Sequence, residues 1–512
     1  MAAQEGVEPK RVEVKGVEVK GVEAKGSDRL PPCEDLPLCV DLDGTLVRSD
    51  TLHEQFLAAL VRRPFAALLV IAMLLRGKAA FKQALSRLCP IDPESLPYQA
   101  DLVEFLRQEK ARGRVLVLAT ASDRDVARPI ATHLGMFDEI LGSDGVVNLK
   151  GRTKAERLTE RFGRGKFSYA GNSHADVPVW NEAGQVILVN TPRSIDGALA
   201  RTDNVMQRFG GKRSSKLKLL VRAMRVYQWV KNVLVFIPML LAHVIRLETI
   251  TAAISMFIAF SLTASAIYIV NDLLDLAADR GHPRKKKRPF ASGDLQLSYG
   301  VLGPLLLISG LGFAWIAISF NAFLILLLYV FVTTAYSTYL KTKPLADVFT
   351  LAGLYTVRIL AGGVATGIHV TIWLLGFSLF VFLSLAFLKR ASELAAAGAE
   401  GRTSKSRRGY RQSDGDLLRG MGITSAFTAS LALTLYLSTD VARQHYPAPS
   451  WLWLVVPLVL FAQCRLWLSG TRGYMTDDPI VYAAKDWVCW IVFACVAVAF
   501  VLAMRGPDLS SL

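Results

Sequence analysis

The pattern of apolar and polar positions divides the chain into two parts at about residue 227. Before that point, short apolar runs alternate with polar stretches, as in a soluble α/β protein. After it, apolar runs of about 18–22 residues recur, and each is long enough to cross a bilayer as a helix. We expect about nine spans, near 230–246, 251–271, 300–318, 321–340, 346–366, 370–390, 422–439, 451–468 and 487–505.

The charges in the loops predict how these spans are oriented. Lys and Arg gather after the second, fourth, sixth and eighth spans, whereas the odd-numbered loops are short or nearly uncharged. Cytoplasmic loops carry an excess of these cations, so we expect residues 1–227 and every even loop on the cytoplasmic side of a cell (inner) membrane. The net charge of +16 over 512 residues is then topogenic and lipid-facing, and no nucleic-acid partner is expected.

The remaining organisation follows from composition. A five-residue unit repeats over residues 6–25 with alternating charge and no aromatic residue, which predicts a disordered tail. No apolar signal segment opens the chain, and the six cysteines show no CxxC spacing, as expected of reduced thiols. The predicted parts are a tail over 1–34, a soluble domain over 35–205, a linker or interfacial segment over 206–227, a membrane domain over 228–506 and a tail over 507–512.

In the soluble part, an apolar strand ends in two carboxylates that lie two residues apart. Residues 38–40 lead into Asp41, Leu42, Asp43 and Gly44. One carboxylate can attack a phosphorus atom while the other protonates the leaving oxygen, and Gly44 lets the backbone turn tightly around a phosphate. Further polar residues follow in order: Thr120 (or, as an alternative, Ser122) after a second strand, then Lys154, then Asn172 and Asp176 after a third.

This order resembles the haloacid dehalogenase (HAD) phosphatase superfamily over about residues 35–205, which implies a parallel sheet with a helical cap. The resemblance implies the following roles: Asp41 is the nucleophile, Asp43 is the general acid/base, Thr120 and Lys154 hold phosphoryl oxygens, and Asp41, Asp43, Asn172 and Asp176 surround Mg²⁺ (or Mn²⁺). The family's last motif commonly begins Gly-Asp, and this chain has Gly171 and Asn172 there. An amide adds no charge, so weaker metal binding is expected. The alternative is a HAD fold kept as a scaffold.

An apolar stretch lies between the first two HAD motifs, where that superfamily inserts its cap. Residues 56–75 are strongly apolar, but Arg62, Arg63 and Pro64 interrupt the run, and one more span would break the loop parity. Two alternatives remain open: a cap held against the membrane surface, or an amphipathic cap packed on the domain core.

The membrane part carries a polar cluster at the end of its second span. Asn271 and Asp272 are followed by Asp275 and Asp279, and a basic loop occupies residues 280–289. The three aspartates are spaced to share one helix face, where they would repel one another unless a cation lies among them. Hard oxygen ligands suit Mg²⁺, and the adjacent cations suit a diphosphate. The alternative is a solvated helix end followed by a topogenic loop.

Residues 227–505 resemble the UbiA superfamily of intramembrane prenyltransferases, an all-α polytopic fold, and within it the decaprenyl-phosphate phosphoribosyltransferases. The residues that carry the resemblance are Asn271 to Asp279, the loop from His282 to Gly293, Tyr336 to Lys343, Asp347, Arg358 to Gly363, and Lys389 to Leu394. Ordinary members have a second acidic pair, but here Asp347 is followed four residues later by Leu351. That departure favours a sugar diphosphate bound beside a lipid monophosphate.

The resemblance implies transfer of a 5-phosphoribosyl group from phosphoribosyl diphosphate to a polyprenyl phosphate, upstream of arabinan precursors for the cell wall. It implies catalytic and metal-binding roles for Asp272, Asp275 and Asp279. The expected substrate-binding residues are Asn271, His282, Lys286, Arg288, Lys341, Lys343, Arg358, Lys389, Arg390 and Glu393. The HAD phosphatase would then remove the 5-phosphate of the product.

Two rival functions remain open, and so does a homo-oligomeric state. The first rival is an aromatic prenyltransferase that uses a polyprenyl diphosphate donor, with a regulatory or unrelated HAD phosphatase. The second is a transporter or scaffold with a regulatory HAD-like domain. Charges clustered at the cytoplasmic ends of the spans favour surface chemistry on an amphiphile over transport.

Overall fold

The structure is a computed structural model, and it describes residues 36–144, 147–192, 194–195, 204–210, 215–399, 409–439, 446–475 and 478–505. The two predicted tails lie outside these residues, as does the middle of the basic loop after the sixth predicted span. The described residues confirm the predicted fold class, an N-terminal α/β domain followed by an all-helical domain.

Within the described residues, the N-terminal domain is built on one sheet of six parallel strands, in the order β3-β2-β1-β4-β5-β6. The strands are β1 Leu38–Val40, β2 Leu116–Asp123, β3 Glu139–Ser143, β4 Ser168–Gly171, β5 Gln185–Val189 and β6 Val205–Phe209. Strands β1 and β4 are buried along their whole length because helices cover both faces of the sheet. The strand order reverses beside β1, so its carboxyl end is where a ligand crevice is expected. The sheet continues to Phe209, past the predicted domain boundary at 205.

Helices surround this sheet, and three of them form a cap. They are α1 Thr51–Arg62, α2 Pro64–Ile71, α3 Lys78–Leu88, α4 Ala100–Ala111, α5 Arg124–Leu134, α6 Arg152–Phe162 and α7 Val177–Trp180. Helix α1 begins where the Asp50 side chain accepts hydrogen bonds from the backbone N–H groups of Leu52 and His53. A short 3₁₀ segment, Ala72–Arg76, joins α2 to α3. The cap, α1 to α3, has a small apolar core of its own around Ala59 and Leu85.

The described residues of the second domain include eight helices long and apolar enough to cross a membrane, where we expected about nine. The helices of this domain are α8 Lys216–Ala223, α9 Ile237–Leu241, α10 Leu247–Leu274, α11 Leu276–Arg280, α12 Leu302–Ala317, α13 Phe320–Thr338, α14 Ala346–Thr366, α15 Ile372–Ala399, α16 Gly415–Leu437, α17 Val455–Thr471, α18 Pro479–Lys485 and α19 Trp487–Arg505. The segment predicted as the first span is instead a shorter apolar helix, Val226–Leu241.

This first segment packs along the middle of its neighbour α10. Trp229 donates to the Ser265 hydroxyl at 2.9 Å, Asn232 donates to that of Ser261 at 2.9 Å, and the Phe236 ring lies 5.9 Å from that of Phe257. It therefore passes antiparallel along part of α10. Arg225, with a left-handed φ of 52°, separates this segment from α8. Within the segment, the 3₁₀ stretch Val226–Phe236 is followed by α9, which has Pro238 in its first turn.

The two domains meet at the end of the bundle where α10 and α11 finish. Arg280 donates to both carboxylate oxygens of Glu54 at 2.5 and 3.1 Å and to the backbone oxygen of Ser95 at 3.2 Å. Arg48 contacts Asp294 at 2.5 Å. Since Glu54 lies on α1 and Arg280 directly follows Asp279, both predicted sites lie at this junction.

Candidate active sites

The first candidate site lies at the carboxyl ends of β1 and β4 and is organised around Lys154. The Lys154 ammonium contacts the Asp41 carboxylate at 2.7 Å and the Tyr169 hydroxyl at 2.9 Å. Tyr169 in turn donates to Asp176 at 2.8 Å. The second Asp176 oxygen accepts from the Ser173 hydroxyl and from the backbone N–H groups of residues 172 and 173. The predicted residues Asp41, Lys154 and Asp176 are thus brought together.

Asp43 lies at the same strand end, and its partners are Thr51 and Ser122. The Thr51 backbone N–H donates to one carboxylate oxygen at 2.7 Å, and the Ser122 hydroxyl donates to the other at 2.6 Å. Strand β2 continues past Thr120, whose fully buried hydroxyl accepts from the Ser122 N–H at 2.9 Å. The geometry therefore favours Ser122, the alternative to Thr120, as the hydroxyl that faces the site.

Burial sets the protonation of both carboxylates. It raises the pKa of Asp41 to about 7, although the Lys154 ammonium opposes the rise. Burial also raises the pKa of Asp43, and the charge of Asp50 adds to that rise. An Asp43 that keeps its proton to higher pH suits a general acid.

The oxygen donors at this site are compatible with Mg²⁺, but they are few. The Asn172 amide packs against Gly44, where a Cβ atom would lie 2.0 Å from the amide nitrogen. Gly44 itself has a φ of +76°, so glycine is required there. Among the described residues, no three His, Cys, Asp or Glu side chains cluster closely enough to hold a metal. Asp41, Asp43, Asn172 and Asp176, which the sequence predicts around Mg²⁺, all lie at the ends of β1 and β4, and substrate phosphate oxygens would supply further ligands of a bound ion.

The second candidate site lies at the end of α10 and in the loop that follows. Asp272 and Asp279 are almost fully buried. One nitrogen of Arg288 contacts both carboxylates, at 3.1 Å for Asp272 and closer for Asp279. Arg225 also binds Asp272, and the Lys285 ammonium lies 3.8 Å from Asp279. The two carboxylates thus converge on one guanidinium, as they could on a cation with a diphosphate.

Asp275 does not join this pair, so the expectation that three aspartates share one face is only partly right. Helix α10 ends at Leu274, and Asp275 occupies the break before α11. Its half-exposed carboxylate faces Lys341 at 3.7 Å. Asn271 donates to the Ser337 hydroxyl at 3.1 Å, and the Lys343 ammonium lies over the Tyr339 ring.

Asp347 lies in a separate buried cluster at the same end of the bundle. Its oxygens contact the Tyr410 hydroxyl at 2.6 Å and the Arg390 guanidinium at 2.6 Å. Arg390 also contacts Glu393 at 2.5 Å and the Tyr336 hydroxyl at 3.1 Å. The predicted pair Arg390 and Glu393 is therefore present, and Arg390 neutralises Asp347.

A fourth cluster holds two more predicted residues. The Lys389 and Lys231 ammonium groups each lie 2.9 Å from Asp478, and together they outweigh the effect of burial and lower the pKa of Asp478. The Tyr355 hydroxyl donates to the same carboxylate at 3.0 Å. Arg358 is buried beside this cluster, with its guanidinium over the Tyr355 ring at 5.5 Å.

The remaining predicted residues lie in the basic loop. His282 accepts hydrogen bonds from the backbone N–H groups of residues 284 and 285, so its ring shapes the turn. Lys286 is exposed, whereas its neighbour Lys285 faces Asp279. The structure therefore points to Lys285, which the sequence analysis did not single out.

These clusters also recruit polar residues from distant segments that were not predicted from the sequence. They are Arg225, Lys231, Asn232, Tyr355, Tyr410 and Asp478. A signal was present for the first three, because polar residues at 225, 228, 231 and 232 recur within an otherwise apolar segment. Nothing in the local sequence links Asp478 to a lysine nearly 250 positions earlier.

Two family models match the chain. Residues 233–479 match the UbiA prenyltransferase family, and residues 38–180 match the haloacid dehalogenase-like hydrolases. A curated relative, the decaprenyl-phosphate phosphoribosyltransferase of Mycobacterium tuberculosis, is 32% identical over 55% of this chain and 94% of its own length. The chain belongs to the UbiA prenyltransferase family.

Two further relatives extend this result. The uncharacterized protein y4nM of Sinorhizobium fredii is 36% identical over 92% of this chain and 91% of its own length. The similarity therefore spans both domains of the chain described here. The nodulation protein NoeC of Azorhizobium caulinodans is 35% identical over 52% of this chain and 86% of its own length. Together with the eight apolar helices and the two family models, the similarity shows an integral membrane protein of the UbiA family with an N-terminal HAD domain.

We predict that Asp50→Asn shifts the pH dependence of the HAD site. Asp43 must be protonated to donate a proton, and the Asp50 charge raises its pKa. Removing that charge lowers the pKa of Asp43, so the descending limb of kcat/KM moves to lower pH and activity on that limb falls.

The assay is hydrolysis of a soluble phosphomonoester across pH. An asparagine side chain can still accept the two hydrogen bonds that begin α1, so the thermal midpoint should stay close to that of the parent. A limb that stays in place or moves to higher pH would contradict this role for Asp43.

Proposed function

We propose that the membrane domain transfers the 5-phosphoribosyl group of phosphoribosyl diphosphate to a polyprenyl phosphate and releases diphosphate. One observation carries the proposal: the buried carboxylates Asp272 and Asp279 converge beside arginines and lysines at one end of the bundle. Buried charges in a membrane domain mark a functional site. Their oxygens suit Mg²⁺, and the cations suit a diphosphate.

The relatives and the surroundings of Asp347 support a sugar diphosphate, rather than a lipid diphosphate, as the donor substrate. Relatives at 31–32% identity bear the name decaprenyl-phosphate phosphoribosyltransferase. A two-metal prenyl-diphosphate mechanism needs a second acidic pair. Leu351 stands four residues after Asp347, where the second acid of such a pair would lie, and Arg390 already balances the charge of Asp347.

In this scheme the bond between ribose C1 and the diphosphate oxygen breaks, and diphosphate leaves with the electron pair. Positive charge develops at C1, as in glycosyl transfer. A phosphate oxygen of the lipid is already an anion and forms the new bond to C1 without a strong base. Mg²⁺ held by Asp272 and Asp279 would supply charge neutralisation to the diphosphate.

The protein's own groups position the two substrates. Arg288 and Lys285 lie beside the two carboxylates, where they can bind the diphosphate. Lys231 and Lys389 converge on Asp478, and a second phosphate group could bind there in competition with that carboxylate. Positioning and charge neutralisation account for most of the expected rate enhancement. The loop charges support a cytoplasmic location for both sites, in the inner membrane.

We predict that Asp272→Asn and Asp279→Asn each lower transfer by about a hundredfold. Each substitution removes one of the two charges that the cation and Arg288 share. Full-length protein in lipid nanodiscs is given radiolabelled phosphoribosyl diphosphate, polyprenyl phosphate and Mg²⁺, and label in the lipid phase is counted. Asp294→Asn is the matched control, because this exposed loop carboxylate pairs with Arg48 outside the cluster, and it should retain transfer.

Failure to label the lipid in the parent protein would contradict the proposal. Transfer from a polyprenyl diphosphate to an aromatic acceptor under the same conditions would instead establish the aromatic prenyltransferase. Equal losses in Asp294→Asn and Asp272→Asn would remove the assigned role of the buried pair.

We further propose that the HAD domain removes the 5-phosphate from the transferred group. The Asp41, Asp43 and Lys154 arrangement supports phosphomonoester hydrolysis through an aspartyl-phosphate: the Asp41 oxygen attacks phosphorus, the ribose oxygen leaves with a proton from Asp43, and water then releases phosphate. The contact between Arg280 and Glu54 supports the coupling, because it joins the loop after Asp279 to the helix that begins beside Asp43.

We predict that Asp41→Asn stops release of phosphate while transfer continues. The nucleophile is lost, so the phosphoribosyl lipid should accumulate, whereas the parent should yield the ribosyl lipid and free phosphate. Mass spectrometry of the extracted lipids and a phosphate assay report the two outcomes. Phosphate release from the variant at the parental rate would contradict the coupled scheme.

A further inference from the structure

Helix α2 and the 3₁₀ segment after it present apolar side chains that the protein leaves uncovered. Of the eight residues in α2, Ala67 alone is buried. The exposed fraction is 83% for Phe65, 75% for Leu69 and 92% for Leu75. The opposite side of this segment already packs on the cap core through Val70 and Met73. A surface helix of a soluble domain has one apolar face, which packs on the core. A second, exposed apolar face indicates an interaction surface.

This uncovered face continues a surface that already contacts the membrane domain. Leu57 of α1 packs against the cluster that contains Ile269 and Leu276. Leu60 and Val61 follow one turn later on the same side of α1, and both are exposed. The face therefore runs from the end of the helical bundle along α1 and onto α2.

Exposed cations stand at both ends of this apolar stretch. Arg62 and Arg63 precede α2, Arg76 ends the 3₁₀ segment, and Lys78 follows it. An apolar face flanked by basic residues is the pattern of helices that lie in the interface of an anionic membrane. The same cations on a second copy of the chain would repel these, so they favour an anionic membrane over a protein partner.

The cap also reaches the phosphatase site from its other end. Lys82 of α3 donates to the backbone oxygen of Ala121 at 2.7 Å and to the Asn148 side chain at 3.0 Å. Ala121 lies between Thr120 and Ser122, and Ser122 binds Asp43. One short hairpin thus connects the uncovered face to the site.

We infer that α2 and residues 72–76 insert into the headgroup region of the bilayer, and that the HAD site therefore takes a phosphomonoester carried by a membrane lipid. The substrate class rests on the proposed phosphatase chemistry of Asp41, whereas the insertion does not. Substrate reaches the site by lateral diffusion, and the phosphate faces Asp41 while the lipid chain stays in the membrane.

The insertion is tested with a photoreactive phenylalanine analogue placed at Leu69 of the full chain in anionic nanodiscs. The matched control places it at Val115, which is 45% exposed and lies at the amino end of β2, away from the site. Lipid adducts at position 69 and none at position 115 are expected. Adducts to a second protein copy at position 69, or equal lipid labelling at both positions, would overturn the inference.

The consequence for substrate choice is tested with Leu69→Glu combined with Leu75→Glu, and with Val115→Glu as control. The double variant should hydrolyse the phosphoribosyl lipid in nanodiscs about tenfold more slowly than the parent, because two leucines leave the interface. Hydrolysis of soluble para-nitrophenyl phosphate should be unchanged, which also reports folding. Equal rates on the lipid, or equal losses on both substrates, would overturn the inference. Lipid adducts without hydrolysis of either substrate would refute the phosphatase alone.

Discussion

The charge of two carboxylates buried at the end of an apolar helix must be compensated, and the rest of the structure depends on how this is done. Asp272 and Asp279 are almost inaccessible, and an unpaired buried charge is strongly destabilising. Arg288 and Arg225 provide the compensating charge. Arg225 can do so because it lies in the turn between α8 and the first membrane segment, where its left-handed backbone changes the direction of the chain. The irregular first segment and the acidic site are therefore parts of one arrangement.

Helix α11, which follows the acidic helix end, also joins the two domains. Arg280 directly follows the Asp279 carboxylate and inserts its guanidinium between Glu54 and the Ser95 backbone. Gly293 is needed nearby, because a Cβ atom there would lie 2.7 Å from Arg48. A change at the acidic cluster can thus reach α1, whose first N–H binds Asp43. This contact gives the proposed sequence of transfer and dephosphorylation a physical basis.

The residues that sequence alone located are those whose partners lie close by or follow a regular pattern. Asp41 and Asp43 follow a buried strand, and Asp272 and Asp279 follow a long apolar run.

The sequence alone was not sufficient where tertiary structure decides which side chains meet. Thr120 and Ser122 both end the same apolar strand, and the pairing of Ser122 with Asp43 separates them. Asp275 fits the helical spacing, but the helix breaks at that residue. Asp478 meets Lys231 only through the packing of distant helices.

We propose that Asp272 and Asp279 hold a cation, and through it the diphosphate, where Arg288 now bridges them. Electron cryomicroscopy of the full chain in nanodiscs, with phosphoribosyl diphosphate and Mg²⁺, tests this arrangement. We expect density for a cation between the two carboxylates and for a diphosphate bound to that cation, with Arg288 moved from the carboxylates onto the diphosphate. Arg288 still bridging both carboxylates while the ligand binds elsewhere would contradict it.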